Sequence, residues 1–215
     1  MELPEVYQRL LEHFGPQGWW PVRNGFDPPE WEVCVGAILT QNTSWRNVEK
    51  VLDNLKNERI LSPLDMIKID KNRLEKLIKP SGFYRQKAER LKIFADFVLG
   101  FGSFKKFSKR VTREQLLKVK GLGPETVDSI LLYALNRPVF VVDAYTKRVF
   151  TRLGFEDRKN YEEWRRFFEE NLPNDVDLYK ESHALIVEQG KILCRNNPMC
   201  EKCFWWLFCA YNKKQ

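Results

Sequence analysis

"KVKGLGPETVDS" occupies residues 118–129. Two glycines one residue apart, followed at once by proline, decide how the chain folds around them. Upstream, Thr112 and Gln115 have the spacing of a capping box, which starts a helix that runs to Lys120 and stops at Gly121. Gly121 and Gly123 permit backbone angles closed to other residues and remove side chains that would block a close approach. Pro124 then fits the first turn of a second helix, where its missing N–H costs little. The pattern predicts helix, tight hairpin, helix, with free amides of the second helix facing outward. Such amides hold a phosphate through hydrogen bonds and the helix dipole. The same pattern also fits an ordinary corner between two helices.

Outward from the hairpin, apolar residues recur every three or four positions. The spacing predicts helices over 5–14, 32–39, 46–55, 70–78, 86–100, 112–119, 124–135, 146–154, 160–172 and 178–193. Only "RPVFVV" (137–142) looks strand-like, and it is short enough to be an extended connector. The expected fold class is therefore all-α, built from about ten short helices. Breaks at "NGFDPP" (24–29) and "LNRP" (135–138) suggest two helical domains. A contiguous middle, 28–137, would be flanked by 1–27 and 138–215, which pack together.

Hydrophobic residues make up 43% of the 215, enough for a packed core. Lys and Arg number 36 against 29 acids, a net charge of +7 that suits a polyanionic partner. The first twenty residues carry glutamates and no long apolar run, so no secretory signal is expected, and no stretch is long enough to span a bilayer. A cytoplasmic location follows as an expectation, and in that reducing compartment clustered cysteines favour metal ligation over disulfides.

Asp143 follows the extended connector and precedes a helix, the position of an N-cap. A capping carboxylate accepts amide hydrogen bonds, which keep it ionised. Beside a phosphate-gripping hairpin it could stabilise a sugar cation while a base–sugar bond breaks. Cys194, Cys200, Cys203 and Cys209 have the spacing C-x5-C-x2-C-x5-C. Zinc modules usually present two close pairs, and only Cys200 and Cys203 are close; four thiolates also suit a [4Fe–4S] cluster. Cys34, in the apolar "EVCVGAIL" (32–39), reads as core.

Together, "LKVKGLGPETVDSILLYALNRPVFVVDAYTKRV" (117–149) and the cysteine run resemble the endonuclease III family of DNA glycosylases. The resemblance covers nearly the whole chain and implies a helix-hairpin-helix glycosylase fold. It also implies a C-terminal [4Fe–4S] loop, with zinc the alternative, whose Arg195 and Lys202 would touch phosphate, although exposed basic residues there fit simple solvation equally well. The implied partner is double-stranded DNA with a damaged base, bound by a nucleoid-associated monomer, and the implied catalytic carboxylate is Asp143. One position departs from the pattern. Members that also cut the backbone place a Schiff-base lysine just before the threonine, where this chain has Glu125 before Thr126. A carboxylate cannot form that adduct, and neither Lys120 nor Lys147 stands at the position. Water is therefore the expected nucleophile.

Two further segments narrow the resemblance. "GWWP" (18–21) and "LTQNTSWRN" (39–47) are similar to the 3-methyladenine glycosylase III branch. By that likeness Trp20, Pro21 and Trp45 contact the base, Trp19 supports them and Glu125 lines the pocket. Gln41 would fill the gap left by a flipped nucleotide, and Phe83 in "SGFYRQKA" (81–88) matches a second intercalating loop. A cationic, electron-poor purine suits indole faces. Filling the junction between domains explains the tryptophans equally simply. His13 and His183 lie in no motif resembling a catalytic one, and His183 reads as structural. The rival functions are a mismatch or oxidised-base glycosylase, with or without lyase activity, and a non-catalytic DNA-binding module. Asp143 separates the last, because a pure binding module has no need of that carboxylate.

Overall fold

The computed structural model describes residues 2–20 and 25–214, apart from the side chain of Lys214. In chain order the helices are α1 (Leu3–Phe14), α2 (Pro29–Leu39), α3 (Trp45–Asn57), α4 (Pro63–Lys68), α5 (Lys71–Ile78) and α6 (Tyr84–Leu99). There follow α7 (Phe104–Arg110), α8 (Arg113–Leu117), α9 (Pro124–Ser129), α10 (Ala144–Leu153), α11 (Tyr161–Asn171) and α12 (Val176–Ile192). Among the described residues there is no β-strand, and no helix is long and apolar enough to cross a membrane. Two helices exceed the expected set, α4 and α7. Each starts on a serine whose hydroxyl accepts an amide hydrogen bond, Ser62 from Asp65 and Ser103 from Lys106. Their six and seven residues are too short for periodicity to reveal, but the caps are visible in the sequence.

The chain divides into two compact units, 20–136 and 1–19 with 137–215. The continuous unit thus starts at Trp20, earlier than the expected residue 28, because the Trp20 indole packs edge-on against Trp45 and Tyr133. Its centre is α2, where every residue from Trp31 to Leu39 is buried, as expected of a helix apolar on all sides. Trp31 stacks on Phe94 of α6, which meets Phe107 of α7 edge-on. After α9 the chain keeps turning through a wider π-helical segment, Ile130–Ala134, all of it buried.

In the other unit, Phe140 stacks on Phe168 with ring centroids 4.1 Å apart, and Phe150 and Tyr179 close around them edge-on. Residues 137–142 run extended without pairing as a strand. Side chains from α11 serve their amides instead, Glu169 accepting from Phe140 N and the Tyr161 hydroxyl from Val142 N. Helices α10 and α12 cross closely at Gly190, where a Cβ would lie 2.5 Å from the Tyr145 ring.

Candidate DNA-repair site

Local chemistry builds the hairpin as expected. Thr112 accepts from Gln115 N while Gln115 accepts from Thr112 N, so α8 begins on a complete capping box. The angle between α8 and α9 is held by Arg113, whose guanidinium donates two hydrogen bonds, 2.6 and 3.0 Å, to the buried Asp128. Gly121 sits at φ +90°, a conformation that needs glycine. Gly123 corrects the expectation drawn for both glycines. Its φ of −88° and ψ of 170° are ordinary extended values, and a Cβ there would meet nothing within 4 Å. The missing side chain at 123 therefore answers no demand of the fold. Pro124 opens α9, and Glu125 stands exposed in its first turn.

Gln41 is tied to this hairpin. Its amide nitrogen donates to the Gly121 carbonyl at 3.2 Å and the Thr126 hydroxyl at 2.9 Å, and its oxygen accepts from Arg90. Phe83 is 63% exposed and left-handed, at φ +46°. A large apolar side chain held outward on an unfavourable backbone is an unusual combination. In the same unit, Trp20 and Trp45 lie edge to face over Gly36, whose absent Cβ would fall 3.2 Å from Trp20 and 3.5 Å from Trp45. Any larger residue at 36 would push the indoles away. Pro21 lies outside the described residues.

Trp19 belongs to the other unit, where its ring meets His183 edge-on and Lys191 lies over its face at 4.9 Å. Asp143 caps α10 there, accepting from Thr146 N at 2.7 Å and the Thr146 hydroxyl at 2.9 Å. Its second oxygen lies 3.6 Å from Nε2 of His183 on α12. Burial alone would raise the Asp143 carboxyl. The His183 contact and the Thr146 donors outweigh it and hold the carboxyl below its usual range, so it is ionised at neutral pH. His183 is the neighbour that sequence reasoning missed. Forty residues separate it from Asp143, and no local spacing signals their meeting.

The four cysteines follow α12 and line one small cavity together with Gln189 and Arg152. Two arginines of α10 clasp this segment. Arg148 donates to the carbonyls of Cys194 and Gly190, and Arg152 donates to the Asn196 carbonyl at 3.0 Å and lies 3.5 Å from the Cys194 sulfur. Gln189 points its amide at the Cys203 sulfur, 3.4 Å away. Burial and the neighbouring Cys194 and Cys209 push the Cys200 and Cys203 thiols upward. A bound cation would relieve that repulsion, so the donor set fits a thiolate-held group. Among the described residues, no group of three or more His, Cys, Asp or Glu side chains is arranged to hold a metal ion. Arg195 and Lys202 are exposed, though Arg195 uses Nε to cap the Lys191 and Ile192 carbonyls at the end of α12. Cys34 is fully buried and its thiol is pushed far up by burial.

Residues 35–174 match the family model of the HhH-GPD superfamily of base excision DNA repair proteins. A Methanocaldococcus jannaschii protein provisionally named a DNA repair glycosylase is 46% identical over 95% of this chain and 94% of its own length. Thermotoga maritima endonuclease III is 31% identical over 90% of this chain and 88% of its own. Among solved structures, H. pylori 3-methyladenine DNA glycosylase bound to 1,N6-ethenoadenine superimposes with a TM-score of 0.79 at 34% identity, covering 89% of this chain and 98% of that one. A non-covalent endonuclease III–DNA complex gives 0.81 at 22% identity, a likeness of fold, over 99% of this chain and 95% of that one.

Proposed function

The chain belongs to the HhH-GPD superfamily of base excision DNA repair proteins, and from that premise we propose that it is a monofunctional glycosylase for cationic alkylated purines such as 3-methyladenine. The observation that carries the substrate class is the Trp20–Trp45 pair over Gly36. Electron-rich indole faces attract a cationic base more than a neutral one once the base is flipped out of the stack. The H. pylori 3-methyladenine glycosylase, similar over nearly its whole length, supports the same class.

The positive charge of the base already weakens its bond to the sugar, so no strong general acid is required. The glycosidic bond breaks, its electron pair leaves with the base, and cationic character develops on the sugar. Asp143, ionised and fixed by Thr146, stabilises that charge. Water adds to the sugar carbon and releases a proton. Glu125 supports hydrolysis because a carboxylate cannot make the imine on which strand cleavage depends. Gln41 and Phe83 act as wedges, and the Gly121–Gly123 hairpin grips the backbone with Arg195 and Lys202 as further phosphate contacts. Cys194, Cys200, Cys203 and Cys209 would hold a [4Fe–4S] cluster, which supplies a rigid centre for the loop and no chemistry on the base.

The test is base release from methylated duplex, with and without alkali afterwards. Free 3-methyladenine and an intact abasic strand are expected, and borohydride should trap no covalent adduct. A trapped adduct, or equal activity on a neutral mismatched thymine, would overturn the reading.

A further inference from the structure

We propose that Lys87 and Arg90 are positioning residues that lock the two wedges, Gln41 and Phe83, to each other and to the hairpin. The proposal rests on the wedge reading given above. Phe83 is the N-cap of α6, and Lys87 and Arg90 follow three residues apart in the first turns of that helix. Lys87 is only 1% exposed, and a lysine that deep needs compensation. Its ammonium donates to the Leu39 carbonyl at 2.8 Å and the Ser81 carbonyl at 2.6 Å. Leu39 ends α2, two residues before Gln41, so its carbonyl is one that the helix leaves unserved and that a cation suits. Ser81 lies two residues before Phe83. One ammonium thus pins both wedge-bearing loops.

Arg90, one turn on, completes the link. Its guanidinium holds the Gln41 oxygen, and its stem lies under Gly121, where a Cβ would come within 2.5 Å of Arg90 Cγ. The Gln41 amide is therefore held at both ends, its nitrogen by the hairpin and its oxygen by Arg90 of α6. Stability alone does not account for Lys87. Burying an ammonium against backbone carbonyls costs more than burying an apolar side chain of the same length. Burial, then the charge of Arg90, brings the Lys87 ammonium down to about 8. What the arrangement supplies is position: a backbone gripped at the hairpin meets the wedges at a set distance.

The experiment uses a duplex with 2-aminopurine beside an abasic-site analogue, whose fluorescence reports unstacking by the wedges. Affinity for undamaged duplex and melting temperature are measured in parallel. Lys87→Met should lower the unstacking signal at saturating protein while undamaged affinity holds, and Lys87→Arg should restore most of it. Excision should fall on the order of tenfold to a hundredfold, the scale of a misplacement near 1 Å. Arg90→Met should act likewise. The proposal is overturned if Lys87→Met unstacks normally. It is equally overturned if undamaged affinity, melting temperature and signal fall together and Lys87→Arg restores none of them. A salt dependence reduced by about one ion in Arg90→Met would make Arg90 a direct phosphate contact and remove it from the proposal. Gln41→Ala and Phe83→Ala run alongside. If neither changes the signal, the wedge reading itself has failed, whatever Lys87 does.

Discussion

Alanine at each hairpin glycine should separate what the fold requires from what a partner requires. At Gly121 the backbone is at φ +90°, which costs an L-residue roughly 1–2 kcal/mol, and the new Cβ would strike the Arg90 stem at 2.5 Å. The stem can swing aside, but then Arg90 releases Gln41. A loss of about 1–3 kcal/mol follows, at roughly 2–4 °C of melting temperature per kcal/mol for a chain of this size. Gly123→Ala has no such penalty. Its angles are ordinary and the space beside it is open. Restricting the unfolded chain gains about 0.4–1 kcal/mol, and a poorer N-cap for α9 loses about as much, so stability should barely move. DNA affinity should nevertheless fall in Gly123→Ala, for damaged and undamaged duplex alike, because a methyl group stands where backbone phosphate approaches. Urea denaturation and fluorescence anisotropy at fixed salt measure the two effects. Unchanged DNA affinity in Gly123→Ala, with unchanged stability, would refute close approach at this residue. Unchanged stability in Gly121→Ala would refute the conformational argument.

Asp143→Asn keeps an oxygen to accept from Thr146 but loses the charge, so folding and lesion binding should persist while excision drops at least ~100-fold in single-turnover assays. Purified protein should be yellow-brown with broad absorbance near ~400 nm from the cysteine-held cluster, and Cys203→Ser should lower iron content, soluble yield and DNA affinity together. Stoichiometric zinc in a colourless protein would contradict that. Lys87 gives a stability signature with a definite sign. Its folded value, about 8, lies below the unfolded value, so the unfolded chain binds more protons between about 8 and the ordinary lysine range. Stability of the wild type relative to Lys87→Met should therefore rise with pH across that window in denaturant titrations. A flat difference from pH 7.5 to 10 would show that Lys87 is not held in a desolvated site.

Local chemistry explains what could be read from the chain alone. Thr112, Gln115, Gly121, Pro124 and Asp143 each act within a few residues of themselves, through caps and turns whose rules are positional. Hence the hairpin and the α10 cap stand where the sequence places them. What escaped reading depends on contacts between distant residues. His183 meets Asp143 across forty residues, and Lys87 gathers carbonyls from 39 and 81, although "RQKAER" carries no hint of a buried ammonium. Trp19 and Trp20, adjacent in sequence, go to different units because one packs on His183 and the other on Trp45 and Tyr133.

Residues that the folded chain does not explain are the strongest pointers to an external partner. Gly121 is explained by its own φ, and Gly36 and Gly190 by the rings pressed on them. Gly123 is not, since any small residue fits there. Phe83 is not, because 63% exposure recovers little of the apolar burial that could offset roughly 1–2 kcal/mol of left-handed strain. The clustered cysteines are not explained either, since burial and then their cysteine neighbours push the Cys200 and Cys203 thiols upward. Stability alone is indifferent to glycine at 123 and would favour a polar residue at 83 and apolar side chains in place of the thiols. Gly123 and Phe83 are what the proposed DNA partner would require: an open approach for phosphate and a projecting ring for a base stack. The Gly123→Ala and Phe83→Ala variants test this jointly. Both should hold or improve stability while weakening DNA recognition, and a variant that lost stability instead would return its residue to the fold.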